Sequence, residues 1–171
     1  ATHHQRIAKR RIVRKENRNM EELALQDYYK DEFAHCYGCG RLNDQGLQLK
    51  SYWDGEETVL HFTADPKYCG GVPGNVYGGL IASLMDCHGA ATASSAKAKE
   101  EDKPMSRFVT ASLKVDFRAP TPTGIPLEIR GRVKEIKGRK VIVNMTLLAG
   151  GTLCAEGSVV MVQIPSQYEQ G

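Results

Sequence analysis

The stretch "NVYGGLIASLMDCHGAATA", Asn75 to Ala93, decides how this chain folds. Its apolar and small residues, among them Leu80, Ile81, Leu84, Met85, Ala90, Ala91 and Ala93, fall on nearly every side of a 3.6-residue helix. They predict a helix from about Tyr77 to Glu101. A helix that is apolar on most sides is buried on most sides, so the remainder of the chain must wrap around it. One carboxylate, Asp86, stands inside this helix, two turns past the pair Gly78 and Gly79.

What surrounds the helix reads as strand. "LQLKSYW" and "ETVLHFTA" precede it, and "RFVTASLKVDFRA", "LEIRGRVKEIKG", "KVIVNMTLLAG" and "TLCAEGSVVMVQI" follow it. In the first of the later four, Val109, Ala111, Leu113, Val115 and Phe117 alternate with Thr110, Ser112, Lys114, Asp116 and Arg118, a period of two. The connections "PTPTG", "KGRK" and "AGG" are short, as successive antiparallel neighbours require. The order β-β-α-β-β-β-β predicts an α+β hotdog fold, an antiparallel sheet wrapped around one long central helix. Such a sheet keeps two open edges, which predicts pairing with further copies as a homodimer or homotetramer.

The bulk properties set the frame. A chain of 171 residues, 41% apolar and 25% charged, is that of an ordinary globular domain. No apolar run reaches the roughly 18 residues of a membrane span, and the charged beginning is unlike a secretory leader. The five cysteines are odd in number and scattered, which favours reduced thiols and a cytoplasmic location. The net charge of +3 is uneven: the first 18 residues hold seven Lys/Arg against one acid, and the rest is mildly acidic. Residues 1–34, free of Gly and Pro, are therefore expected to form a basic helical segment appended to a domain of residues 35–171. A solvated helix face accounts for that charge, and neither a membrane nor a nucleic-acid partner is expected.

Helical spacing puts Gly79, Ala82, Ser83, Asp86, Ala90 and Ala93 on one stripe, where only Asp86 is not small. A helix that opens on two glycines presents unpartnered N–H groups and the positive end of its dipole without a Cβ in the way. A carbonyl oxygen resting there meets the geometry of an oxyanion hole. A carboxylate further along the stripe is then placed to act as general base or nucleophile in a neighbouring site.

"NVYGGLIASLMD", followed by "SLKVDFRAPTPTG" and preceded by "HCYGCGRLNDQGLQL", resembles the hotdog-fold acyl-CoA thioesterases of the PaaI type. The likeness covers about residues 35 to 164: Gly78-Gly79, six residues, then Asp86, with Pro120 and Gly124 later. It implies hydrolysis of an acyl-CoA thioester in a homo-oligomer, with no cofactor. The Gly78 N–H would polarise the carbonyl, and Asp86, from another protomer, would activate water or attack. By the same resemblance Thr110 would help hold the water. Arg118, Thr121 and Gly124 fall where relatives contact the CoA phosphates. Tyr77, Gly79 and Ser83 are further substrate-binding candidates, and Ala82, Ser83, Ala90 and the loop around Tyr68 are expected to line the acyl pocket. Tyr77 stands at the position of the family's histidine, and Gly71 at that of an asparagine. The alternative is a hotdog domain that binds acyl-CoA without turning it over. A dehydratase would need the missing histidine.

Two other constellations carry less. Cys87 and His88 flank Asp86, but adjacent helical residues point about 100° apart and cannot form a dyad. Cys36 and Cys39 are spaced like metal ligands, yet no second pair follows, so a metal-free turn is expected.

Overall fold

The computed structural model describes residues 22–169. Among these residues six strands surround one helix: β1 (Ser51–Asp54), β2 (Glu57–Thr63), α1 (Gly78–Glu101), β3 (Phe108–Phe117), β4 (Pro126–Lys137), β5 (Lys140–Ala149) and β6 (Thr152–Gln163). The strands form one antiparallel sheet in the order β1-β2-β4-β5-β6-β3, which is the hotdog arrangement. β1 and β3 are its edges.

Burial follows the residue pattern. In β5, Val141, Val143, Met145, Leu147 and Ala149 turn inward in strict alternation. They share one core cluster with Leu80, Leu84, Met85 and Ala93 of α1, each 2% exposed or less. Helix and sheet approach closely at Gly89, where an added Cβ would lie 2.4 Å from Val159 Cγ1. The helix ends at Asp102 in the left-handed region (φ 51°), two residues before Pro104. Among the described residues no helix is long and apolar enough to cross a membrane.

One polar cluster lies inside this core. His88 is fully buried, with Nδ1 2.8 Å from Ser51 Oγ and Nε2 3.0 Å from Thr58 Oγ1. Gln26 Nε2 donates to Ser51 Oγ at 2.9 Å, so the Ser51 hydroxyl is free to donate to His88 Nδ1. The ring is then the Nε2–H tautomer, giving its proton to Thr58 Oγ1. Thr58 passes a hydrogen bond to Thr92 Oγ1 (2.6 Å), and Thr92 donates to the His88 carbonyl (2.8 Å). Every donor in this closed ring has an acceptor, as a dry polar network requires.

Three expectations change. Residues 1–21 of the expected basic helix lie outside the described residues; from 22 onward the segment forms two short 3-10 turns, Leu25–Tyr28 and Asp31–Phe33, and no continuous helix. The Asp27 carboxylate accepts the Ala24 N–H at 3.0 Å, and Gln26 and Tyr29 are buried; the Gln26 side chain accepts the Ser51 N–H and the Tyr29 hydroxyl donates to Ser94. These side-chain anchors fix the segment turn by turn. The first strand begins only at Ser51, because Leu47 and Leu49 give their N–H groups to Tyr37 and Gly38 of the preceding loop (2.8 and 3.0 Å). The alternation along β3 breaks at Ala111: Thr110 pairs with Met161 and Ser112 with Val160, leaving Ala111 as a bulge. Before the bulge Phe108 is buried and Val109 is exposed, and after it Leu113 and Val115 pack on the core.

Candidate active site

The helix start is gripped from two sides. Tyr77 N–H donates to the Tyr68 carbonyl (3.0 Å), Gly70 N–H to Asn75 (2.8 Å), and Val76 N–H to Thr121 (2.8 Å). Tyr77 is the extended residue before the helix, and its carbonyl accepts the first intrahelical bonds, from Leu80 and Ile81. The N–H groups of Gly78 and Gly79 are thus left without an acceptor among the described residues, as at any open helix N-terminus.

Both glycines are exposed, and each has an aromatic ring against it. A Cβ at Gly78 would lie 3.2 Å from Phe117 Cζ, and one at Gly79 2.4 Å from Tyr77 Cε2. Any side chain at Gly79 would displace the Tyr77 ring, so glycine there lets the ring fold over the first turn. Two open clefts meet at Gly78. One, of about 340 Å³, is lined by Asn75, Ile81, Phe117, Arg118 and Thr121 among others; the second, of about 370 Å³, is lined by Gly70, Val72, Tyr77 and Pro120.

Asp86 is half-buried on the open part of the small-residue stripe. Thr110 donates its hydroxyl proton to Asp86 Oδ1 at 2.5 Å. The bulge at Ala111 makes this possible, because it turns Thr110 toward the helix while Leu113 stays inward. Uninterrupted alternation would have put Thr110 and Leu113 on opposite faces. No Lys or Arg pairs with Asp86 among the described residues, so the second carboxylate oxygen stays open to a water or substrate.

The other candidates are dispersed. Ser83 donates to the Gly79 carbonyl (2.9 Å), one turn from Asp86. Arg118, exposed, gives both Nε (3.1 Å) and Nη2 (2.7 Å) to Glu156 Oε1. Thr121 is buried with its hydroxyl lacking a partner among the described residues, and Gly124 is an exposed turn residue at φ 78° whose N–H donates to Ala64 (2.8 Å). Gly78 and Asp86 are eight residues apart on one helix, about 12 Å along its axis at 1.5 Å per residue. That is too far for both to reach one carbonyl group from the same chain.

The fold also gathers three sulfurs that sequence spacing leaves apart. Cys87, on α1, joins Cys36 and Cys39, with all three Sγ atoms within 4.8 Å of one another. Only tertiary packing could reveal the third member.

A family model described as Thioesterase superfamily matches residues 73–160, about half of the chain. A thioesterase superfamily protein from Shewanella loihica is 46% identical, with 80% of this chain and 100% of that one covered and a TM-score of 0.61. The PaaI protein of E. coli (17% identity, 70% and 81% covered, TM-score 0.59) shares the fold, as does smu.793 of Streptococcus mutans, solved with acetyl-CoA bound (16%, 68% and 88%, TM-score 0.58). The curated relative MIOREX complex component 3 of Saccharomyces cerevisiae is 32% identical over 112 residues, which is 63% of this chain; the match spans only 37% of that protein's length.

Proposed function

The chain belongs to the thioesterase superfamily, and from that premise we propose that it hydrolyses an acyl-CoA thioester to the free acid and CoA. The observation that carries this reading is the Asp86 carboxylate, half-buried, held by the Thr110 hydroxyl and otherwise unpaired among the described residues. In the proposed reaction Asp86 takes a proton from water, which attacks the carbonyl carbon. The negative charge that develops on the carbonyl oxygen rests against the Gly78 N–H and the helix dipole. The C–S bond then breaks, and the proton held by Asp86 returns to the departing CoA thiolate.

A two-chain site follows from the 12 Å gap between the two groups. The edge strand β3 supports it, since Val109 and Phe117 on that edge are 52% and 57% exposed. A second copy paired there would cover them and set its Gly78 against Asp86 of the first. Tyr77 and Gly79 flank the carbonyl position, and Ser83 stands one turn before Asp86 on its helix. Arg118, Thr121 and Gly124 form the rim toward the CoA phosphates; Arg118 keeps donors beyond those bonded to Glu156.

The competing reading, an acyl-CoA-binding domain without turnover, takes its support from Tyr77, which stands at the position of the family's histidine. Release of free thiol from a panel of acyl-CoAs, with binding followed in parallel, separates the two. Turnover of at least one thioester is expected. Binding across the panel with no thiol released would replace hydrolysis by the binding function.

A further inference from the structure

We propose that Cys36, Cys39 and Cys87 bind one zinc ion through three thiolates, with the fourth coordination position left to an exogenous donor, in place of the metal-free turn expected from cysteine spacing. The proposal is independent of the hydrolytic reading: Cys87 follows Asp86 by one residue, so it points about 100° around the helix from the carboxylate.

The spacing of the sulfurs suits a single ion. Zinc binds thiolate at about 2.3 Å, which sets the sulfurs of a tetrahedral site about 3.8 Å apart. Cys36 and Cys87 Sγ lie 3.8 Å apart, and the whole trio falls within 4.8 Å. All three are free thiols.

The loop is shaped around the sulfurs. In "CYGCG", residues 36–40, the Gly40 N–H donates to the Cys36 carbonyl at 2.8 Å, closing a tight turn. A Cβ at Gly40 would stand 2.5 Å from Cys36 N, and one at Gly38 2.3 Å from Cys87 Sγ, so both positions need glycine for the backbone to fold against the sulfurs.

An independent observation is the charge beside the cluster. Arg107 is half-buried next to Cys39, with its guanidinium 4.7 Å from the Tyr29 ring centroid. Its Nη1 is buried with no acceptor, and no carboxylate pairs with it among the described residues. A guanidinium nitrogen buried without an acceptor is costly. Three thiolates around a divalent ion carry one net negative charge, which the guanidinium cancels. The ion would pin the loop of residues 34–49 to α1.

The test uses the full chain, reduced and stripped of metal with a chelator, then titrated with Co²⁺ and Zn²⁺. Expected are one equivalent bound per chain, a thiolate-to-cobalt charge-transfer band that zinc displaces, and loss of that band in Cys36→Ser and Cys87→Ser but not in Cys69→Ser or Cys154→Ser. Because a variant could fail to fold, alkylation of the natural sequence is mapped by mass spectrometry as well. Zinc should slow modification of Cys36, Cys39 and Cys87 and leave Cys69 unchanged. Absence of the band in fully reduced protein, its survival in Cys87→Ser, or equal alkylation with and without zinc overturns the proposal.

Discussion

Asp86→Asn is expected to lower kcat by about 10²- to 10⁴-fold, the range for loss of a positioned general base, while KM and the folded state stay near those of the wild type. The substitution is nearly isosteric. The amide oxygen that it introduces can still accept the Thr110 hydroxyl, which donates to Asp86 Oδ1 at 2.5 Å, so the local contact survives. What disappears is the ability to take a proton from water. Steady-state kinetics beside far-UV circular dichroism distinguishes the two effects. A variant that keeps its fold and its kcat would remove Asp86 from the chemistry.

Acid should weaken the fold through His88. Burial holds this imidazole at about 4, well below its ordinary value of 6.5, because a charged ring inside the Ser51–Thr58–Thr92 cluster would lose its hydration. The unfolded chain takes a proton at 6.5 that the folded chain refuses until about 4. The contribution is therefore fully present above the unfolded value and is lost as pH falls through this window, by about 3 kcal/mol. Denaturant unfolding at about pH 7 and about pH 4, compared between wild type and His88→Gln, isolates it from the carboxylates that also titrate. The wild type should lose about 3 kcal/mol more than the variant. Equal losses would mean that the ring is charged, or solvated, within the fold.

The sequence made α1 and the six strands readable because burial imposes a period, and apart from β1, which starts four residues late, their observed ends fall close to the expected ones. Gly78, Gly79 and Asp86 were legible for the same reason, since helical spacing alone puts the open donors and the carboxylate on one element. Thr110 could be reached only through family resemblance; its bond to Asp86 depends on the bulge at Ala111, and a bulge is set by strand register, to which an alternating pattern is blind. Arg118 falls by resemblance at the CoA phosphates, and the register that pairs Asp116 with Glu156 brings it a carboxylate partner that the sequence does not reveal. The cysteine cluster shows the same limit more sharply. Cys87 lies 48 residues beyond Cys39, on a helix that packs against the "CYGCG" loop only once the fold has formed.

The central claim is that Asp86 of one copy and the Gly78 N–H of another act on the same thioester, and mixing two disabled chains tests it most directly. Gly78→Pro removes the N–H at the first helical position, where proline is tolerated and where Tyr77 already has the extended backbone (ψ 147°) that a following proline requires. Asp86→Asn removes the base. Each variant alone should be nearly inactive, and oligomers assembled from both should regain part of the wild-type thiol release, because some of their sites combine an intact Asp86 with an intact Gly78. Mixed oligomers that form yet stay inactive would contradict the account.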